Sequence, residues 1–464
     1  MINPLQEAFV LFDEKNQTFF DKIKNAFNDG NANQIYSLFS EETQKAISLE
    51  IFSMQIEEIR DRQGNICYWS DSTINPEQPS VLLGFEKHLG TGTLFWTYDQ
   101  NNLISAFSMN DHKQASMIDW IIQYPNKFSF SSIADGNIIA NYFGSREQSL
   151  MSVFKINVAI EYCKQLSDGK INDEDWIKLN DVNKYYIQDL DISHTNFIQI
   201  WEQQGKIING LLQLKEIAIG MIALSSNACT EFIQTLLTLQ SIQTTVDRIG
   251  LKQSQIFYLT SFLLVFTNDG QISKGEFIKQ IQNLSFDQVQ QKSLEIHDQL
   301  ILNNNIAKEY LSRGKQLLDA EVLRVQVKYF TKSTTLEYSK LLDKLNNQLY
   351  FNEKFYQYFY DLMGYVSMQN IALSRQYDHV GIKGGSSSIQ EDNSCVLTIG
   401  YFQQMKKPAP FKRTAIAFFI ESLEYETEFK IILEQFNEFV ALTSLNGQYL
   451  QAVSKELTQI SQKQ

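Results

Sequence analysis

The 464-residue chain carries 53 acidic against 40 basic side chains, a formal net charge of −13, with 43% hydrophobic and 20% charged residues. A chain of this size divides into two or three domains, each able to bury a core, and its composition argues against wholesale disorder. The acidic balance argues against nucleic acid as a partner, because Lys and Arg drive that binding by displacing counterions.

Cys67, Cys163, Cys229 and Cys395 form no CxxC pair and have no nearby histidine, so neither a zinc nor a redox motif is present. They read as reduced thiols of a soluble cytoplasmic protein, with non-classical secretion left open. Met1–Phe20 lacks a basic segment followed by an apolar core, and no stretch reaches the roughly 18 apolar residues of a membrane-spanning helix.

In chain order, residues 1–190 read as an α+β domain. Leu5–Phe12, Gln17–Phe27, Asn33–Phe39 and Glu41–Arg60 have helical patterns, the last with Ser40 as its cap. Ile66–Trp69, Ser80–Phe85, Thr91–Tyr98 and Leu103–Ser108 are short β-prone runs between turn formers, which predicts a small antiparallel sheet with a hairpin turn at Asp99–Asn102. Helices resume at Gln114–Gln123 and Gln148–Lys164.

The six prolines (Pro4, Pro76, Pro79, Pro125, Pro408 and Pro410) leave nothing but non-proline residues between Asn126 and Lys407. Proline inside a helix costs about 3 kcal/mol, so this distribution predicts helices. From Phe197, the apolar positions Ile200, Ile207, Leu211, Leu214, Ala218, Met221, Ala228, Phe232, Leu239, Ile242, Val246 and Ile249 follow alternating spacings of three and four, with Gln204, Ser225 and Thr235 interrupting and Gly205, Gly210 and Gly220 counting against an unbroken helix. That seam predicts one long helix, roughly 80 Å at 1.5 Å per residue. Two further long helices follow, over Phe286–Phe330 and Leu336–Leu373.

The expected fold is therefore mainly α within an α+β class. A long-helix bundle or coiled coil spans 195–376, a small antiparallel β element lies in the N-terminal part, and a β-hairpin lies near 395–421. Gly381–Asn393, with Gly384, Gly385 and Ser386–Ser388, reads as a flexible linker. Residues 394–464 then form the hairpin and a final helix, Glu426–Gln459, packed on the bundle.

Asp269, Gln271 and Glu276 match the back half of an EF-hand calcium loop, but Val265 and Thr267 stand where its leading carboxylates belong. A helix connection capped by Ser273 and Glu276 accounts for the same letters, so no metal and no cofactor are expected. His88, His112, His194, His297 and His379 are isolated in sequence, and His379 is the least improbable catalytic imidazole. Gly84–Thr93 and Gly381–Ser388 lack the P-loop spacing, Lys383 standing before its glycine pair. The basic run Lys406, Lys407, Lys412 and Arg413, with Phe411, suits an exposed tip meeting an acidic partner or a lipid headgroup, or simply a solvated turn.

Ile217–Val246 holds one ionisable residue, Glu231, and Ser254–Asn268 holds none. Such stretches are similar in kind to the hidden hairpins of α-helical pore-forming toxins, although their many Gln, Ser and Thr residues favour a bundle interior over lipid. The expected function is a non-enzymatic interaction or scaffold protein with a protein partner or a second copy of itself. The alternatives are a membrane-active pore subunit and an enzyme with a site near Thr91–Ser108.

Overall fold

The computed structural model describes residues 4–73, 77–111, 115–188, 190–252, 255–389, 394–407, 410–424 and 429–463. His112, Pro408, residues 390–393 of the expected linker and the first residues of the expected final helix lie outside that set.

Helices α1 (Pro4–Asn28), α2 (Ala32–Tyr36), α3 (Glu41–Ala46) and α4 (Leu49–Gln63) pack on an antiparallel sheet in the order β1 (Ile66–Asp71), β2 (Ser80–Phe85), β3 (Thr91–Tyr98), β4 (Ile104–Asp111). Val81, Leu83, Leu94 and Trp96 leave the sheet on its buried face and meet Phe20, Ile23, Phe27, Phe52 and Ile56. Ser40 and Ser48 accept backbone N–H groups at the starts of α3 and α4, which fixes where those helices begin.

After α5 (Met117–Gln123) come the hairpin β5 (Phe128–Ala134) and β6 (Asn137–Tyr142), the short β7 (Gln148–Ser149) and helix α6 (Lys155–Ser167). A helical lobe follows: β8 (Trp176–Lys178), α7 (Leu179–Asn183), α8 (Ile192–Gln203), β9 (Leu211–Gln213), α9 (Leu214–Ile222), α10 (Asn227–Leu237), α11 (Leu239–Ile249), α12 (Leu259–Leu264), α13 (Lys274–Gln282), α14 (Phe286–Leu302), α15 (Asn305–Ser312) and α16 (Ala320–Tyr329). β10 (Lys332–Ser333) pairs back on β7, and α17 (Thr335–Asn346), α18 (Glu353–Met363) and α19 (Ile371–Gln376) lead out of the lobe. The chain finishes with β11 (Tyr377–Ile389), β12 (Ser394–Met405), β13 (Arg413–Glu424), α20 (Phe429–Leu445) and α21 (Gly447–Lys463).

The centre of the molecule is a five-stranded antiparallel sheet in the order β11-β12-β13-β5-β6. One face carries Phe130, Ile399 and Phe418 against Ile121 of α5, Phe439 of α20 and Tyr449 of α21. The other carries Phe402, Ala417 and Phe419 against Tyr338 and Leu342 of α17 and the core of the helical lobe. At the heart of that lobe, α6 is buried on every side from Lys155 to Cys163.

This architecture corrects the expected long-helix bundle and coiled coil. The seam from Phe197 to Ile249 is not one rod but the buried faces of α8, α9, α10 and α11, which turn around a common core with Phe197, Met221, Ile233 and Val246 inside. The breaks fall where the backbone is left-handed, at Gly205, Asn209, Gly210, Ser225 and Thr238, and Ser226 and Thr238 cap the helices that restart. Short helices that each bury one face into the same core preserve the three-and-four spacing without sharing an axis. The second expected rod likewise breaks at Asn303, a left-handed C-cap after α14, and the third breaks between α17 and α18.

The expected linker is also corrected: its described part, 381–389, belongs to β11 at the edge of the central sheet. Its glycines answer to neighbours across space. A Cβ at Gly381 would lie 2.3 Å from the Phe402 ring, and one at Gly385 would lie 2.6 Å from the backbone N of Ser152. A strand pressed this closely against other elements has no room for the apolar alternation that marks an ordinary strand.

Candidate active site

Three short elements converge where β11 passes the start of α6. The first is the turn Met151–Phe154, which leads straight into α6. Met151 has a φ of 43°, a conformation rare outside glycine and common where structure serves a site. It sets half-buried Ser152 at the N-terminal end of the helical run. Lys155 follows three residues later, on the same helical face. Thr398 of β12 anchors this turn by donating its hydroxyl to the Leu150 carbonyl at 2.7 Å, and Leu150 N donates to Thr331 O at 2.9 Å.

The second element is the turn Ser225-Ser226-Asn227 ahead of α10. Ser225 is left-handed, with a φ of 60°, which turns its carbonyl and hydroxyl toward α6. Lys155 is fully buried and donates to Ser225 O at 2.6 Å, Ser225 Oγ at 3.2 Å and Asn227 Oδ1 at 2.9 Å.

The third element is Lys383-Gly384-Gly385 on β11. Buried Lys383 donates to Ser225 Oγ at 3.0 Å and to the Gly384 carbonyl at 2.8 Å. Gly385 lies against the backbone of Ser152, so the strand edge and the start of the helix lie side by side.

Burial dominates the electrostatics, because both lysines lose water when charged. It lowers Lys155 to about 8, with Asp191 and the Cys229 thiol opposing the shift. Lys383 is held well below the usual lysine range by burial and then by the charge of Lys155. A lysine in this range is available as a proton acceptor near neutral pH.

The residues singled out from sequence lie elsewhere. Asp269 accepts the N–H of Gln271 at 3.0 Å within the α12–α13 connection, and Glu276 accepts Ser273 N at 3.1 Å and Ser273 Oγ at 2.7 Å in a capping box. Those two Ser273 bonds hold the Glu276 carboxyl below the usual carboxylate range. Among the described residues, no group of three or more His, Cys, Asp and Glu side chains is placed to hold a metal ion. In the basic tip, Lys406 donates to Ser374 O at 2.8 Å, the N–H groups of Lys412 and Arg413 go to Asp135, Phe411 is half-buried and Lys407 is exposed. His379 is a packed imidazole stacked on Tyr360, with burial lowering it to about 4. The enzyme alternative set its site beside Thr91–Ser108, whereas the convergent groups lie between α6, α10 and β11.

Sequence reasoning missed Ser152, Lys155, Ser225 and Asn227, and met Lys383 only as a failed P-loop. A signal existed: Ser-x-x-Lys at the start of a helix, a Ser-x-Asn turn 70 residues after the lysine, and Lys-Gly-Gly a further 158 residues after Ser225. The elements S-x-x-K, S-D-N and K-T-G line the acylation sites of class A β-lactamases and penicillin-binding proteins. This chain departs from them in Ser226, where aspartate is usual, and in Gly384, where threonine is usual.

The model of a family described as "Beta-lactamase enzyme family" matches residues 114–386, more than half of the chain. No curated protein matches significantly. Among solved structures, the TLA-1 extended-spectrum β-lactamase is 12% identical with a TM-score of 0.44, covering 72% of this chain and 98% of its own. A class A β-lactamase from Bacteroides cellulosilyticus is 14% identical with a TM-score of 0.41 (75% and 98% covered), and PBP-A is 11% identical with a TM-score of 0.40 (74% and 94% covered). At those values neither the fold nor the chemistry rests on them.

The family match overturns the expected non-enzymatic scaffold, and with it the pore-forming alternative. The low-charge stretches are core: Ile217, Met221 and Ile233 from the first, Leu259, Phe262 and Phe266 from the second. No helix among the described residues is long and apolar enough to cross a membrane. The chain belongs to the β-lactamase enzyme family.

Proposed function

We propose that this protein is a serine acyl-transfer enzyme acting on β-lactam-like cyclic amides. The observation that carries the reading is that Lys155 and Lys383 both donate to Ser225 Oγ while the Ser152 turn, three residues before Lys155, lies against Gly385. Ser152 Oγ attacks the amide carbonyl and passes its proton to neutral Lys155. The N–H of Ser152, at the start of the helical run, and the outer edge of β11 receive the developing oxyanion.

Both lysines donate to Ser225 Oγ, filling its two lone pairs, so its own proton is free to be donated to the substrate. That proton goes to the leaving nitrogen as the C–N bond breaks and is replaced from Lys155. The product is an ester on Ser152. Water cleaves it, releasing a carboxylic acid and restoring the serine.

The test is covalent labelling of the full chain with a fluorescent penicillin, followed by peptide mass spectrometry. One probe mass on the Ser152 peptide, absent in Ser152→Ala, is expected. No adduct at millimolar probe, or an adduct unchanged in Ser152→Ala, rejects the reading.

A further inference from the structure

We propose that Asp191 is a positioning residue of this site: it holds the Ser225–Asn227 turn in place and supplies the negative charge that faces Lys155. The inference rests on the acyl-transfer reading.

Asp191 is buried ahead of α8. One carboxylate oxygen accepts the N–H groups of Asn227 at 2.8 Å and Ala228 at 2.9 Å, the first two of α10. The other accepts His194 N at 3.3 Å and caps α8. A single side chain therefore ties the helix that begins with Asn227 to a separate part of the lobe. Charge at this end of α10 also suits the helix dipole.

Ser226 occupies the place of the aspartate in the S-D-N element. Its hydroxyl accepts Cys229 N at 3.1 Å and lies 3.0 Å from His194 Nδ1, so it caps α10 but carries no charge. Asp191 delivers a carboxylate to the same turn from outside the element.

The groups facing Lys155 are few. Lys383 comes from β11, the Cys229 thiol from α10, and Asp191 from ahead of α8. Glu161, on α6 itself, is turned to Gln165 and Thr245. For Lys155 to hold a proton beside a second buried amine on the same hydroxyl it needs a counter-charge, and among the described residues Asp191 is the carboxylate that acts on it. The imidazole of His194, behind the turn, is lowered by burial and adds no fixed positive charge at neutral pH.

The test reads Lys155 directly. Carbon-13 lysine NMR of the full chain, with the Lys155 signal assigned by its loss in Lys155→Arg, gives its titration midpoint. Asn and Ser cap helices about as well as Asp, so D191N and D191S remove charge while keeping a capping oxygen. Both should lower the midpoint by about one unit, as loss of a nearby opposite charge does, and should move the pH curve of penicillin labelling the same way. D191E should leave the midpoint in place. An unchanged midpoint in folded D191N and D191S overturns the proposal. If both neutral variants fail to fold, D191N/K383Q decides: removing the second buried amine beside Lys155 restores folding if charge is what Asp191 supplies, and continued failure overturns the proposal. If no protein is labelled at Ser152, the acyl-transfer reading falls, while the NMR midpoint still settles the role of Asp191.

Discussion

Lys155 and Lys383 direct their ammonium groups at one oxygen, Ser225 Oγ, from 3.2 and 3.0 Å. One lysine comes from the central helix of the lobe and the other from the edge strand of the sheet, so the hydroxyl between them marks the seam at which the two halves of the enzyme family domain meet. The charge of Lys155 is felt by Lys383 and adds to burial in lowering it.

Replacing Lys155 by Gln keeps a polar group near Ser225 and Asn227 but removes the proton acceptor. The second-order rate of penicillin labelling should fall by about 10²–10⁴-fold, the range of a general base. Stopped-flow fluorescence with the labelled penicillin measures it.

The labelling rate should rise with pH. Attack requires Lys155 as the neutral amine, and its folded value is about 8, so the rate climbs through that pH as the proton is lost. A rate that falls across pH 7 to 9, with the fold intact by circular dichroism, would contradict Lys155 as the base.

The two glycines after Lys383 should respond differently. A Cβ at Gly385 would lie 2.6 Å from Ser152 N and 2.8 Å from Met151 Cβ, so Gly385→Ala must push β11 away from the nucleophile. A 1 Å misplacement is enough for a loss of about 10²-fold in labelling rate. At Gly384 the nearest atom is the Thr398 carbonyl at 3.9 Å, and Gly384→Ala should keep the rate within about threefold, a free-energy change under 1 kcal/mol.

Glu231 is the stability prediction. Its buried carboxylate accepts Ser261 N at 2.8 Å and the Ser261 hydroxyl, and lies 2.8 Å from His297 Nδ1, joining α10 to α12 and α14. Glu231→Ala strands those partners in the core and should destabilise the protein by about 3–5 kcal/mol in urea titration. Asp269→Ala, which removes one turn acceptor in an exposed connection, should change it by about 1 kcal/mol or less.

How much of this could be read from the chain depends on the range of the interaction responsible. Caps are local. Ser40, Ser273 and Ser285 each accept an N–H three residues ahead, so their helix starts can be read within a single turn of sequence. The alternation of Val81, Leu83, Leu94 and Trp96 is local in the same sense, because successive side chains on a strand point to opposite faces.

The apolar seam after Phe197 tells that a face is buried but not what buries it. Its spacing is the same for one rod against a partner and for four short helices around a core. Glycines mark the first breaks, at Gly205 and Gly210, but the left-handed backbones of Ser225 and Thr238 have no glycine beside them. Burial of α6 on all sides depends on helices that arrive much later in the chain. Gly381–Gly385 looks like spacer until Phe402 closes on Gly381 and Ser152 on Gly385.

The site lies at the far end of this scale. Ser152-x-x-Lys155, Ser225-x-Asn227 and Lys383-Gly384-Gly385 are each a short local pattern, but nothing local ties the three to one another. Hydrogen-bond periodicity and side-chain size act over a few residues and fix caps, strand faces and turns. Bringing two lysines to one serine hydroxyl takes the packing of a helix against the edge of a sheet, and that packing exists only once both are folded.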